Sequence, residues 1–184
     1  TALRAAYGQD PQVLLLDLDS LAAYHGRARC IDPSLRYLAG MNMSESFLQQ
    51  VSRKCLAVLN ALVGRARKCL VLDLDNTLWG GILGEVGPDG IHLGQEALGK
   101  PYVDFQRIIL RLRERGVLLA INSKNNPDEV LPILREHPHM ILREHQFAGM
   151  QIDWAPKPEK MQRLAAELNL GLDSFVFMDD DPAE

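Results

Sequence analysis

The sequence is poor in cysteine. Cys30, Cys55 and Cys69 are the only three in 184 residues. The number is odd and no C-x-x-C pair occurs, which argues against a disulfide framework and a zinc ribbon and fits a reducing, cytoplasmic setting. Long apolar runs are also missing: none reaches the roughly 18 residues of a membrane-spanning helix. The opening TALRAAYGQDP has no apolar stretch after its one arginine, so it does not read as a signal peptide. Positive charge is not in excess. The formal net charge is −4, which argues against nucleic acid or an anionic membrane as the main partner. The glycines fit neither a Walker frame nor a G-x-G-x-x-G frame.

What is present is ordinary for a soluble globular chain: 47% apolar and 24% charged residues. The run 13–18 (VLLLDL) reads as a buried strand, bounded upstream by Asp10-Pro11. A mostly helical region follows from Asp32-Pro33-Ser34 to about Leu62, with Ser44 as an N-cap and Gly64 as its end. Residues 69–75 (CLVLDLD) form a near-continuous apolar run, as a central parallel strand does. Seven glycines between Gly80 and Gly99 predict turns and a small hairpin.

Residues 101–115 predict an amphipathic helix with Tyr102, Phe105, Ile108, Ile109 and Leu112 on one face, stopped by Gly116. Strands are expected at 117–121, 140–142 and 174–178, and helices at 126–136 and 157–168. Alternating strands and helices imply an α/β fold, a parallel sheet with helices on both faces. Residues 1–64 read as the tail of a preceding α/β domain or an N-terminal extension, and 65–184 as the core module. The chain starts at Thr1 and ends at Glu184, a few residues past a strand-like run, so a larger parent chain is expected.

Polar groups gather just beyond the strand ends: Asp73, Asp75, Asn76 and Thr77; Asn122, Ser123 and Lys124; Lys157; and Asp179, Asp180 and Asp181. In a parallel sheet these ends line one edge, where ligands bind. Carboxylates clustered after an apolar strand repel unless something neutralises them. Mg²⁺ fits, being hard and oxygen-seeking, and commonly shared between carboxylates and substrate phosphate.

Asp73 is then the nucleophile. Asp75, two residues on and on the same side, serves as general acid/base. The metal set is Asp73, Asp75, Asp179 and Asp180. Thr77, Ser123, Lys124 and Lys157 face the phosphate, with Lys160 competing for the role of Lys157. The echo Asp17-Leu18-Asp19 has Leu21 where Thr77 stands and reads as a chance D-x-D. His137, His139 and His145 read as a surface cluster, and Arg65, Arg67 and Lys68 as a solvated linker.

In motif and order, DLDNT at 73–77, Ser123, Lys157 and the Asp179-Asp180 pair resemble the haloacid dehalogenase (HAD) superfamily. More narrowly, KCLVLDLDNTLWGGILGE (68–85), INSKNNPDEV (121–130) and FVFMDDDPAE (175–184) are similar to its FkbH-like subfamily. The resemblance implies a three-layer HAD-like fold with a small cap or none. It also implies an enzyme that dephosphorylates 1,3-bisphosphoglycerate and delivers a glyceryl unit to an acyl carrier protein in polyketide biosynthesis. A plain HAD phosphatase acting on a small phosphorylated metabolite is the alternative. Two departures stand out. Asp181 replaces the family's usual Asn, and Asn122 stands where some relatives carry Cys. Cys69 lies roughly 13 Å before Asp73 at about 3.3 Å per strand residue, so it reads as core.

Overall fold

The computed structural model describes residues 2–10, 13–64 and 67–181. Pro11, Arg65 and residues 182–184, on which the first strand's boundary, the basic cluster and the end of the last motif partly rest, lie outside them. The chain divides into two compact units, Thr1–Ala66 and Arg67–Glu184.

In the first unit the described residues form helices α1 (Ala2–Tyr7), α2 (Leu18–His25), α3 (Pro33–Ala39) and α4 (Glu45–Leu62). Side chains cap α3 and α4. Asp32 accepts from Ser34 N–H, and Ser44 accepts from Phe47 N–H at 3.3 Å. The strand expected at 13–18 does not form. Leu14, Leu15 and Leu16 are exposed, and among the described residues no strand pairs with them. Asp17 instead caps α2, its carboxylate accepting from Ser20 N–H at 2.9 Å and from the Ser20 hydroxyl at 2.8 Å. A cap and a half-buried strand are competing uses of one aspartate, and here the cap prevails.

The second unit is a four-stranded, all-parallel sheet of order β3-β2-β1-β4. Its strands are β1 (Cys69–Leu72), β2 (Leu118–Ser123), β3 (Gly149–Ile152) and β4 (Phe175–Met178). β1 is central and buried along its whole length. Its side chains alternate between two cores. Leu70 and Leu72 join Trp79, Val103, Ile109, Leu119, Ile121, Val130 and Ile133. Cys69 and Val71 join Ala120, Leu164 and Phe175. The first core carries α6 (Lys100–Glu114) and α7 (Pro127–Glu136), and the second carries α8 (Lys157–Glu167). The result is three layers, helices over both faces of the sheet.

Residues 140–142 are not a strand, and the third strand is Gly149–Ile152. The reason is Gln106. Its Oε1 accepts from Ile141 N–H at 2.8 Å and Leu142 N–H at 3.1 Å, and its Nε2 donates to Leu78 O at 2.7 Å. A side chain thus satisfies the backbone groups that a ladder would otherwise take. The same glutamine shifts the buried face of α6. Val103, Gln106 and Ile109 are fully buried, while Ile108, expected inside, is 57% exposed. Between β1 and α6 the chain forms a single antiparallel bridge, Gly80 with His92, and one short helix, α5 (Leu83–Val86). Among the described residues of this unit the segment forms no separate cap domain.

Candidate active site

The carboxyl ends of the strands deliver the predicted residues to one edge. Asp73 follows β1 and extends its ladder, its N–H donating to Met178 O at 3.0 Å. Ser123 ends β2, and Asp179 and Asp180 follow β4. Lys157 opens α8. Asp73, Asp179 and Asp180 each offer a carboxylate oxygen, and these three lie within 4.8 Å of one another. Among the described residues no other group of three such side chains forms, so the histidines at 137, 139 and 145 assemble no such set.

Lys157 is 6% exposed and sits among these acids. Its Nζ donates to Asp73 Oδ2 at 3.1 Å and to Asp179 Oδ2 at 2.5 Å, and lies 5.6 Å from the centre of the Phe177 ring. Asn122 holds the start of α8 from β2, its Nδ2 donating to Lys157 O at 2.9 Å. Lys160, the competing lysine, points elsewhere. It is fully buried and donates to Ser123 O and Asp153 O, both at 2.8 Å. It clamps the ends of β2 and β3 together, and burial lowers its pKa. Lys124 is half-buried beside Ser123.

Asp73 is strained electrostatically. It is buried, and its Oδ1 has no hydrogen-bond partner among the described residues. Burial pushes its carboxyl above the usual carboxylate range. The nearby Ser123 hydroxyl, the Leu74 amide and the Lys157 ammonium oppose this only in part. The Ser123 hydroxyl favours the anion from nearby without forming an aligned bond to Oδ1. An orphaned buried carboxylate oxygen beside two further carboxylates fits a hard cation. Asp73, Asp179 and Asp180 are therefore the residues that would hold Mg²⁺.

Asp75 takes a different position from the one its place in the metal set implied, since its carboxylate is not part of the three-acid cluster. Oδ1 accepts from Trp79 Nε1 at 2.9 Å and Leu83 N–H at 3.1 Å, and Oδ2 accepts from Asn125 Nδ2 at 3.0 Å. The turn that sets this up passes through Asn76, whose φ of 52° is left-handed. Asn tolerates that region, and its Oδ1 accepts from Gly81 N–H at 2.8 Å. Thr77 is buried in the same turn, its N–H donating to Leu74 O at 3.1 Å. Beside it a recess of about 400 Å³ is walled by Pro101, Tyr102, Phe105 and Met178 and bordered by Asp179 and Asp180.

Sequence reasoning missed Trp79 and Asn125 as partners of Asp75. The signal was at hand for Asn125, a second asparagine beside the Asn126 that caps α7. Cys69, the one cysteine of this unit, does not serve the site. Cys69 is buried, and burial pushes its thiol up to about 11. Cys30 and Cys55 belong to the other unit. Asp181 is exposed, and its backbone N–H donates to Asp179 Oδ1 at 3.0 Å.

No family model and no curated protein matches the chain. Among solved structures it superposes on the crystal structure of the N-terminal part of the protein BF1531 from Bacteroides fragilis, which contains a phosphatase domain complexed with Mg. The TM-score is 0.90 and the identity 32%, covering 99% of this chain. The chain spans 48% of that chain's length. The architecture is accordingly the HAD-like Rossmannoid α/β fold. Among the described residues no helix is long and apolar enough to cross a membrane.

Proposed function

We propose that the unit Arg67–Glu184 is a Mg²⁺-dependent phosphatase of the HAD type, working through a phosphorylated Asp73. The observation that carries this reading is the buried, unpartnered Asp73 Oδ1 beside Lys157 and two further carboxylates. The Mg²⁺-bound phosphatase domain of the Bacteroides fragilis protein supports it.

Mg²⁺ held by Asp73, Asp179 and Asp180 would supply charge neutralisation at the transferring phosphoryl group. An Asp73 carboxylate oxygen attacks phosphorus, and the bond to the leaving oxygen breaks. That oxygen keeps the electron pair and takes a proton from Asp75. Ser123 donates its hydroxyl to the phosphoryl oxygens. Lys157, already on Asp73, adds the positive charge a spread-out transition state needs. Water then attacks phosphorus and Asp75 takes its proton. The bond to Asp73 breaks, freeing inorganic phosphate and the carboxylate.

The finer reading takes 1,3-bisphosphoglycerate as substrate, in the cytoplasm, within polyketide biosynthesis. The ester phosphate leaves through Asp73. The pantetheine thiol of an acyl carrier protein attacks the acyl carbon and displaces the anhydride phosphate, giving a glyceryl thioester. The recess beside Thr77 and the 73% exposed Trp154 just before α8 support this reading.

The test is incubation with 1,3-bisphosphoglycerate, Mg²⁺ and a carrier protein, reading phosphate release and carrier mass. A three-carbon adduct supports the loader. Phosphate without adduct leaves the plain phosphatase. If neither this substrate nor a panel of phosphate esters releases phosphate with Mg²⁺, the proposal fails.

A further inference from the structure

Asn125 is 3% exposed, and a buried amide needs partners to offset its desolvation. It has two, on different strand ends. Its Nδ2 donates to Asp75 Oδ2 at 3.0 Å and to Ser123 Oγ at 3.3 Å. Its Nδ2 is the end turned to both oxygens, and each can accept from it. Asn125 is not needed to start α7, since Asn126 caps it, with Oδ1 accepting from Asp128 N–H at 3.2 Å.

We infer that Asn125 is a positioning residue that holds the Asp75 carboxylate in register with the phosphate-binding hydroxyl of Ser123. The inference rests on the roles given to Asp73 and Asp75 above. Both oxygens of Asp75 are pinned. Trp79 and Leu83 fill Oδ1 from the same loop, and Asn125 holds Oδ2 from beyond the end of β2. A carboxylate oxygen accepts about two bonds. Oδ1 is therefore full, and the remaining free acceptor position lies on Oδ2. Asn125 sets where that position points. It is the atom that takes the proton of the water attacking phosphorylated Asp73.

The test uses the whole chain with Mg²⁺ and p-nitrophenyl phosphate. Nitrophenolate leaves without needing a proton, so the first step runs without Asp75 and the second still requires it. For Asn125→Ala, kcat should fall about 10- to 100-fold, the size expected for misplacing a proton-transfer group. KM should not rise, and phosphorylated enzyme should accumulate on acid quenching. Accumulation is the decisive reading, because a general loosening of the site would slow both steps and leave none. Asn125→Asp keeps the shape and is read the same way if the alanine variant does not fold.

An unchanged kcat, a raised KM with kcat intact, or a fall in kcat without phosphorylated enzyme each overturns the inference. Wild-type protein inactive on all phosphate esters would sink the reading of Asp73, and this inference with it. Active wild type with an indifferent Asn125 variant would sink this inference alone.

Discussion

Replacing Lys157 with methionine tests the electrostatics of the site directly. The methionine keeps the length and apolar stem and removes the charge. Asp73 and Asp179 then lose the cation they share, at side-chain exposures of 9% and 7%. Removing one partner of a buried ion pair costs about 3–5 kcal/mol, because the charge left behind stays desolvated. The lower end applies here, since Asp179 keeps the Asp181 N–H and Asp180 faces solvent. For a unit of this size about 3 kcal/mol corresponds to a fall of roughly 10 °C in the melting midpoint. The assay is thermal unfolding followed by circular dichroism, first in EDTA and then with Mg²⁺. In EDTA the full fall is expected. With Mg²⁺ the gap to wild type should narrow, because the cation replaces the missing charge. Phosphatase activity should be lost in both conditions. A midpoint equal to wild type in EDTA, or a gap that Mg²⁺ leaves untouched, refutes the reasoning.

Three further outcomes follow from the same geometry. Asp73→Asn should abolish turnover and keep the fold, because the change is nearly isosteric. It should also alter the pH dependence of stability. Burial raises the Asp73 carboxyl in the folded chain, so the folded state binds this proton more tightly than the unfolded state does. Wild-type stability therefore falls as pH rises from about 4 through the raised folded value. Asparagine cannot titrate, so in EDTA its advantage over wild type should grow with pH in denaturant unfolding; an advantage that shrinks would show that burial does not dominate. Gln106→Leu should destabilise by at least about 3 kcal/mol in the same assay, since Ile141 N–H, Leu142 N–H and Leu78 O all lose their partner. Gly80→Ala should cost about 1–3 kcal/mol by overpacking, because its Cβ would lie 2.7 Å from the Tyr102 ring. Gly84→Ala, with nothing within 4 Å of its Cβ, serves as a near-neutral control.

Most of the sheet was legible because its parallel strands read as apolar runs, as β1, β2 and β4 do. β3 was not, since Gly149-Met150-Gln151-Ile152 has a glycine where Leu164 of α8 comes close and a polar residue at the half-buried edge. The apolar triplet at 140–142 drew the assignment instead, and its backbone partner turned out to be a side chain 35 residues upstream. Residues 13–18 misled for a similar reason: a local cap on Asp17 outweighed an apolar pattern that pairs with no strand among the described residues.

The convergence of Asp73, Ser123, Lys157 and Asp179 on one edge was legible, because each lies at or shortly after a strand end. Their pairings were not. Lys157 and Lys160 sit one helical turn apart, and only the packing of α8 decides which faces Asp73. The contacts of Asp75 with Trp79, Leu83 and Asn125 depend on a left-handed turn at Asn76 that no periodicity announces.

The placement of β4 has a consequence for motion. It hydrogen-bonds to β1 alone among the described strands, and Val176 and Met178 are exposed. Asp73 stands at the end of the central strand, and Asp179 and Asp180 at the end of this peripheral one. A cation held by the three would therefore tie β1 to β4. Measured metal affinity would then include the work of keeping these two strands paired. Amide exchange along Phe175–Met178 should slow as Mg²⁺ is added, while exchange deep in β2 stays as it was.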